Sequence, residues 1–93
     1  MKTYSFENSS EKLSGLPGWK FKNNALEKDF VFKNFREAMS QMIRIAFICE
    51  SMNHHPEWTN VYNKLNIRLS SHDAGGVTDK DFSLASEIEK LHL

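Results

Sequence analysis

A change of hydrophobic period around Pro56 constrains the fold of this chain more than any other feature. Upstream of it, apolar residues recur at spacings of three and four, which predicts an amphipathic helix: Phe35, Ala38, Met39, Met42, Ala46 and Cys49. Because a proline disfavours helical geometry at the preceding residue, we expect this helix to end at Met52 or Asn53. Downstream, residues 61–71 contain alternating apolar and polar side chains, which is the period of a half-buried strand. A break near Asn63-Lys64 would divide this segment into a short strand and a longer one.

The flanking segments complete an α+β pattern. A short first helix is predicted over 9–14, and alternation over 19–22 and 26–32 on either side of Asn23-Asn24 predicts a β-hairpin. Asn34, with Glu37 three residues later, is a candidate cap for the central helix, and Thr78 is one for a last helix. The order α-β-β-α-β-β-α, with strands in adjacent pairs, favours a four-stranded antiparallel sheet with helices packed on one face.

Size and charge limit what the chain can do. Its 93 residues predict a single domain over 1–93, in which the polar residues 1–8 are candidates for disorder. Twelve basic and twelve acidic residues cancel, which gives no electrostatic case for direct nucleic-acid binding. The N-terminus has no signal-peptide h-region, and no apolar run reaches the ~18 residues that suggest a spanning helix. We therefore expect a cytoplasmic protein with no membrane partner.

The apolar stripe of the central helix is broader than one sheet face needs to cover. Further apolar residues flank it at Ile43, Ile45, Phe47 and Ile48. A domain of this size also gains stability from oligomerisation. The stripe therefore predicts a second packing partner, such as a helix of another subunit.

Titratable side chains cluster where the predicted elements end. Glu50 and His54 are four residues apart, so a helical backbone would stack them on one face. His55 follows directly, and His72 ends the alternating strand with parity that directs its ring away from the core. Imidazole is the side chain that titrates nearest neutrality, and an adjacent carboxylate stabilises its charged form. The cluster therefore indicates proton-transfer chemistry.

Other readings of the same residues stay open at this point. The 54–56 turn could be a polar helix exit, and Trp58 could be core filler. A metal site is a weaker reading, because the chain has no HExxH and no Cys-x-x-Cys spacing. Cys49 lies on the buried stripe, which disfavours nucleophilic catalysis. We expect no metal.

The motif resembles the signature of the pterin-4a-carbinolamine dehydratase family in order and spacing: Glu50-x3-His54-His55-Pro56-x5-Tyr62-x9-His72-x8-Asp81. The runs 54–58 and 60–64 are especially characteristic of that family. The close resemblance covers 50–81, whereas residues 1–18 match poorly. It implies a four-stranded antiparallel sheet with helices on one side. It also implies a homodimer, or a homotetramer made by packing long helices.

The same resemblance implies an activity. Members dehydrate 4a-hydroxytetrahydrobiopterin, or a related 4a-hydroxytetrahydropterin, to quinonoid dihydropterin plus water. They recycle the pterin cofactor of aromatic amino acid hydroxylases and use no metal or organic cofactor. By resemblance, His54 is the leading acid/base and His72 a second one across the ring. Glu50 would orient a histidine and stabilise its charged form.

The remaining roles are also carried over by resemblance. His55 is expected to hold the pterin, and Trp58 either forms a flat wall for it or lies beneath the site. Ser70 and Ser71 lie where members present polar groups to the amide edge of the pterin. Asp81 is expected to cap the last helix and support the preceding loop.

A function of another class is compatible with this fold. In animals a relative binds a homeodomain transcription factor and stabilises its dimer, so a non-catalytic dimerisation or partner-binding module is the alternative. Such a module would have no need to keep Glu50, His54, His55 and His72 at the family spacing, and this chain keeps them all.

Overall fold

A computed structural model of the chain describes residues 2–93. Within this range the elements follow in the predicted order, which confirms the α+β class: α1 (Phe6–Leu13), β1 (Lys20–Lys22), β2 (Ala25–Val31), α2 (Phe35–Met52), β3 (Glu57–Val61), β4 (Lys64–Leu69) and α3 (Asp79–Glu89). A short 3-10 turn, His72–Ala74, lies between β4 and α3. No helix in this range is long and apolar enough to cross a bilayer.

The four strands form one antiparallel sheet in the order β1-β2-β4-β3. Leu26 lies opposite Leu69, and this register places alternate residues of β2 and β4 on the buried, helix-covered face. The other face is mostly polar, with Val31 and Val61 exposed at one end. There Glu27 accepts hydrogen bonds from Asn66 and Arg68, which hold the pKa of its carboxyl below the usual value.

The hairpin between β1 and β2 turns at the predicted asparagines. Asn23 and Asn24 have positive φ angles of 50° and 59°. Two consecutive left-handed residues match the twist of antiparallel strands, and asparagine tolerates that conformation better than most residues. The turn therefore sets the register of the first strand pair.

Local capping determines both ends of α2. The Asn34 side chain accepts a hydrogen bond from the backbone N–H of Glu37 at 2.9 Å. At the other end Asn53 is left-handed, with φ 50° and ψ 43°, and the His54 N–H donates to the carbonyl of Cys49 at 3.0 Å. This left-handed turn provides hydrogen-bond donors for the last carbonyls of the helix and changes the direction of the chain. The helix therefore ends at Met52, as Pro56, four residues later, predicts.

The buried row of α2 is rotated from the predicted one. Ile45, which the spacing places only at the edge of the stripe, is fully buried with Ala38 and Cys49, whereas Ala46 is exposed. The reason is that the sheet and α3 cover one side of the helix. A second apolar row, which includes Phe47, stays uncovered in the single chain.

The N-terminal residues take part in the fold. Tyr4 pairs with Val77 in an antiparallel bridge, and Ser5 caps α1. The helix therefore begins earlier than the apolar spacing predicts. Residues 1–8 were the candidates for disorder, and of these Met1 lies outside the described residues.

Candidate active site

A cavity of about 250 Å³ opens where the end of α2, the end of β4 and the start of α3 meet. Its walls are formed by polar side chains: Asn53, His54, His55, Ser70, Ser71, His72, Asp73 and Lys80. The structure thus brings together most of the side chains that the sequence singled out, although they come from distant parts of the chain. Glu50 and Trp58 do not line this cavity.

His54 is held by a buried carboxylate that sequence spacing did not assign to it. Its Nε2 lies 2.6 Å from Oδ1 of Asp81. The two side chains are 12% and 0% exposed. The left-handed Asn53 turns the chain away from the α2 axis, so the ring leaves the helix face and reaches α3. Asp81 was expected to cap the last helix and to support the preceding loop, and neither expectation predicts this contact with His54.

Asp81 is the centre of a fully satisfied buried network. Its Oδ2 accepts from the backbone N–H of Thr78 at 2.8 Å and from the hydroxyl of Ser71 at 2.9 Å. The Thr78 and Ser71 hydroxyls are 2.7 Å apart. A carboxylate can only accept hydrogen bonds, so the His54 Nε2 that faces it must carry a proton and donate it to the hydrogen bond. In the neutral ring, Nδ1 then keeps its lone pair and can accept a proton.

Glu50 pairs with the second histidine of the motif. Nε2 of His55 lies 2.9 Å from Glu50 Oε1, and the side chains are 60% and 79% exposed. The spacing argument placed Glu50 beside His54, but that argument holds only along a helix. Since α2 ends at Met52, the four-residue stacking no longer applies.

Trp58 lies on the opposite side of the sheet from the polar face. It is paired with Ile67 across β3 and β4 and is packed, partly buried, against the core. Strand parity directs its side chain to the helix-covered face, as it does that of Ile67. Of the two positions expected for Trp58, the one that fits these contacts is packing against the core.

His72 reaches the cavity from the turn that follows β4. The strand ends at Leu69 rather than at the predicted Ser71, because the Ser71 carbonyl accepts the N–H groups of Ala74 and Gly75 and so closes a tight turn. Gly75 has a φ of 75°, which suits glycine. The His72 side chain makes no hydrogen bond within residues 2–93 and is exposed, so both ring nitrogens are available to a ligand.

The structure also bears on metal binding and on nucleophilic catalysis. Across residues 2–93 no group of three or more His, Cys, Asp or Glu side chains is arranged to hold a metal ion. Cys49 is buried, and burial raises the pKa of its thiol to about 11. The thiol is therefore protonated at neutral pH, and only the thiolate is a strong nucleophile.

Comparison with known proteins gives a consistent result. A family profile described as Pterin 4 alpha carbinolamine dehydratase matches residues 2–91. A curated relative from Opitutus terrae is 55% identical over 80 residues, which cover 85% of this chain and 82% of the relative. One from Prochlorococcus marinus (strain MIT 9215) is 47% identical over 85 residues, covering 91% and 88%. Both are named "Putative pterin-4-alpha-carbinolamine dehydratase".

A solved structure shares the fold. The crystal structure of transcriptional coactivator/pterin dehydratase from Brucella melitensis superposes with a TM-score of 0.89 at 32% identity, covering 96% of this chain and 97% of that one. The family match begins at residue 2, so the relationship includes the N-terminal segment that the motif comparison left out. The chain therefore belongs to the pterin 4 alpha carbinolamine dehydratase family, and it is a hydro-lyase.

Proposed function

We propose that this protein dehydrates 4a-hydroxytetrahydrobiopterin, or a closely related 4a-hydroxytetrahydropterin, to quinonoid dihydropterin and water. The observation that carries the proposal is that His54 and His72 line one polar cavity and that His54 is hydrogen-bonded to the buried carboxylate of Asp81. The family names of the relatives support the same reaction class. The reaction would return the pterin cofactor to aromatic amino acid hydroxylases.

The proposed reaction needs two proton transfers. The C4a–O bond breaks as the departing hydroxyl takes up a proton and leaves as water, and the N5 proton is removed as the C4a=N5 double bond forms. Each transfer by a positioned group is worth about 10²–10⁴ in rate. No metal or organic cofactor enters these steps.

We assign the base role to His54 and the acid role to His72. With Nε2–H donated to Asp81, the Nδ1 of His54 is the nitrogen that can accept the N5 proton. The Asp81 carboxylate, 2.6 Å away, then stabilises the imidazolium that forms. His72, which is not tied to any other side chain in the described residues, gives its proton to the leaving hydroxyl.

The other cavity residues would hold the pterin. His55, oriented by Glu50, and the hydroxyl of Ser70 face the cavity with hydrogen-bonding capacity to spare. Ser71 was expected to join them, but its hydroxyl is committed to Asp81 and Thr78. In the proposed site Ser71 therefore acts through that network.

The proposal is tested by following the dehydration of freshly generated carbinolamine with and without the purified protein. We expect a clear acceleration over buffer, saturable in substrate. A rate equal to that in buffer would contradict the proposal. If calorimetry then also detected no pterin binding, the non-catalytic partner-binding module would become the better description of this chain.

Glu50→Gln is expected to lower kcat/KM by less than about fivefold. The partner of Glu50 is His55, and an exposed ion pair contributes at most about 1 kcal/mol, which corresponds to roughly fivefold in rate. Steady-state kinetics beside the wild type check this, with His55→Ala for comparison. A loss of a hundredfold or more would place Glu50 at the reacting atoms and refute the assignment.

We also propose that the protein forms a homodimer or homotetramer through α2. Phe35, Ile43 and Phe47 are 48%, 58% and 73% exposed and recur along the uncovered side of the helix. Multiples of four residues separate them, so they form one continuous row. Large apolar side chains in such a row favour contact with another apolar surface over water.

Phe47→Glu is expected to lower the assembly mass measured by sedimentation equilibrium, because it introduces a charge into the α2 row. Phe6→Glu is the matched control, since Phe6 is 67% exposed but lies on α1. The control should keep the mass of the wild type. A monomeric wild type at all concentrations, or equal masses for both variants, would refute assembly through α2.

A further inference from the structure

Tyr4 holds both chain neighbours of Thr78, the residue that caps α3. Its backbone N–H donates to the carbonyl of Val77 at 2.8 Å. Its hydroxyl donates to Oδ1 of Asp79 at 2.6 Å. Tyr4, which lies 75 positions before Asp79 in the chain, therefore hydrogen-bonds to the segment on both sides of the cap.

Thr78 in turn belongs to the network beneath the candidate active site. Its N–H donates to Asp81 Oδ2 at 2.8 Å, and its hydroxyl lies 2.7 Å from that of Ser71. The other oxygen of Asp81 meets His54 Nε2 at 2.6 Å. Thr78 is 1% exposed and Asp81 fully buried, so these bonds are shielded from bulk solvent. The contacts run without a gap from Tyr4 to the imidazole.

Further contacts keep Tyr4 in place. Its ring packs edge-on against Phe82 with centroids 4.9 Å apart. Lys12 Nζ lies 3.7 Å from Asp79. The hydrogen bond between the phenol and Asp79 raises the pKa of Tyr4 and lowers the pKa of Asp79. At neutral pH the hydroxyl thus donates to an ionised carboxylate, which is a stronger bond than one between neutral groups.

We propose that Tyr4 is a positioning residue of the active site. By fixing Val77 and Asp79 it holds Thr78 in place, and through Thr78 it keeps the Asp81 carboxylate against His54. Tyr4 does not line the cavity and has no role in the proton transfers themselves. The catalytic consequence rests on the proposed function, whereas the effect on the His54–Asp81 contact can be measured without any activity.

The test is Tyr4→Phe, which removes the hydroxyl and keeps the ring. Tyr62→Phe is the matched control, because Tyr62 is the only other tyrosine, is 62% exposed, and donates no hydroxyl hydrogen bond in residues 2–93. We expect Tyr4→Phe to lower kcat by about two- to fivefold with little change in KM, since it removes one exposed hydrogen bond that acts on the catalytic group only through Thr78 and Asp81. The control should match the wild type.

A spectroscopic measurement separates positioning from simple stabilisation. In proton NMR the His54 Nε2–H should resonate far downfield, because it donates to a carboxylate at 2.6 Å. Tyr4→Phe is expected to shift this signal upfield or broaden it by exchange with water. Asp79→Ala should reproduce that change, and the double variant should add little to it, because each substitution removes one partner of the same hydrogen bond.

Distinct results would overturn each idea. If Tyr4→Phe leaves the His54 signal as in the wild type, even with a lowered Tm, Tyr4 only stabilises the fold and the positioning role is refuted. Fully additive effects of the two substitutions would also refute it. A wild type without dehydratase activity would refute the proposed function, while the NMR signal would still decide whether Tyr4 positions Asp81 and His54.

Discussion

His54→Ala is expected to lower kcat by about 10²–10⁴, because alanine can neither accept nor donate the proton that the reaction moves. The same loss is expected for His54→Gln. The two variants should differ in stability, however. Alanine leaves one oxygen of the buried Asp81 without its partner, which costs about 1–3 kcal/mol. Glutamine can still donate a hydrogen bond to that oxygen.

Initial rates of carbinolamine dehydration and thermal unfolding of each variant check this prediction together. His92→Ala is the matched control, because His92 is exposed near the end of the chain and does not line the site cavity. It should keep the kinetics of the wild type. Unchanged acceleration in either His54 variant would remove His54 from the proposed mechanism, whatever the change in stability.

Asp81→Asn is expected to damage both the fold and the reaction. Every hydrogen bond that reaches Asp81 comes from a donor, and an amide offers only one acceptor oxygen. One oxygen cannot serve both Thr78 and His54. If the amide nitrogen faces His54, the ring must accept there and carry its proton on Nδ1, which is the wrong tautomer for a base. Such an exchange beside a catalytic imidazole can cost about 10⁴ in rate.

The stability loss for Asp81→Asn should be about 1–3 kcal/mol, from the unsatisfied buried polar group. In a domain of this size that corresponds to a fall in Tm of very roughly 5–20 °C. Asp29→Asn is the matched control, since Asp29 is exposed on the polar sheet face and should change stability by less than about 0.5 kcal/mol. A wild-type Tm and kcat for Asp81→Asn would contradict the role given to this carboxylate.

The long helix was predictable from its sequence, including both ends. Asn34 as the cap and the stop at Met52 before Pro56 depend on interactions within a few residues, which the sequence contains in full. The order of helices and strands along the chain and the hairpin turn at Asn23-Asn24 followed for the same reason. The rotation of the buried row toward Ile45 did not, because it depends on which neighbouring element covers the helix.

The partners within the site could not be predicted in the same way. Spacing paired Glu50 with His54, whereas the structure pairs Glu50 with His55 and His54 with Asp81. Spacing counts residues along an ideal helix, and here the helix ends between the two groups. A left-handed residue at the helix end then decides which way each ring faces.

The sequence by itself determined the period of each element, the helix caps and the imidazoles that lie at element ends, since these features arise from neighbours in the chain. Only the tertiary structure decided which carboxylate contacts which imidazole and that Trp58 packs against the core. It also decided that Tyr4 hydrogen-bonds to both neighbours of Thr78, the cap of α3. The His54–Asp81 and Tyr4–Asp79 contacts join residues that are 27 and 75 positions apart. They are selected by how α1 and α3 pack with the rest of the buried core, and no local pattern encodes that choice.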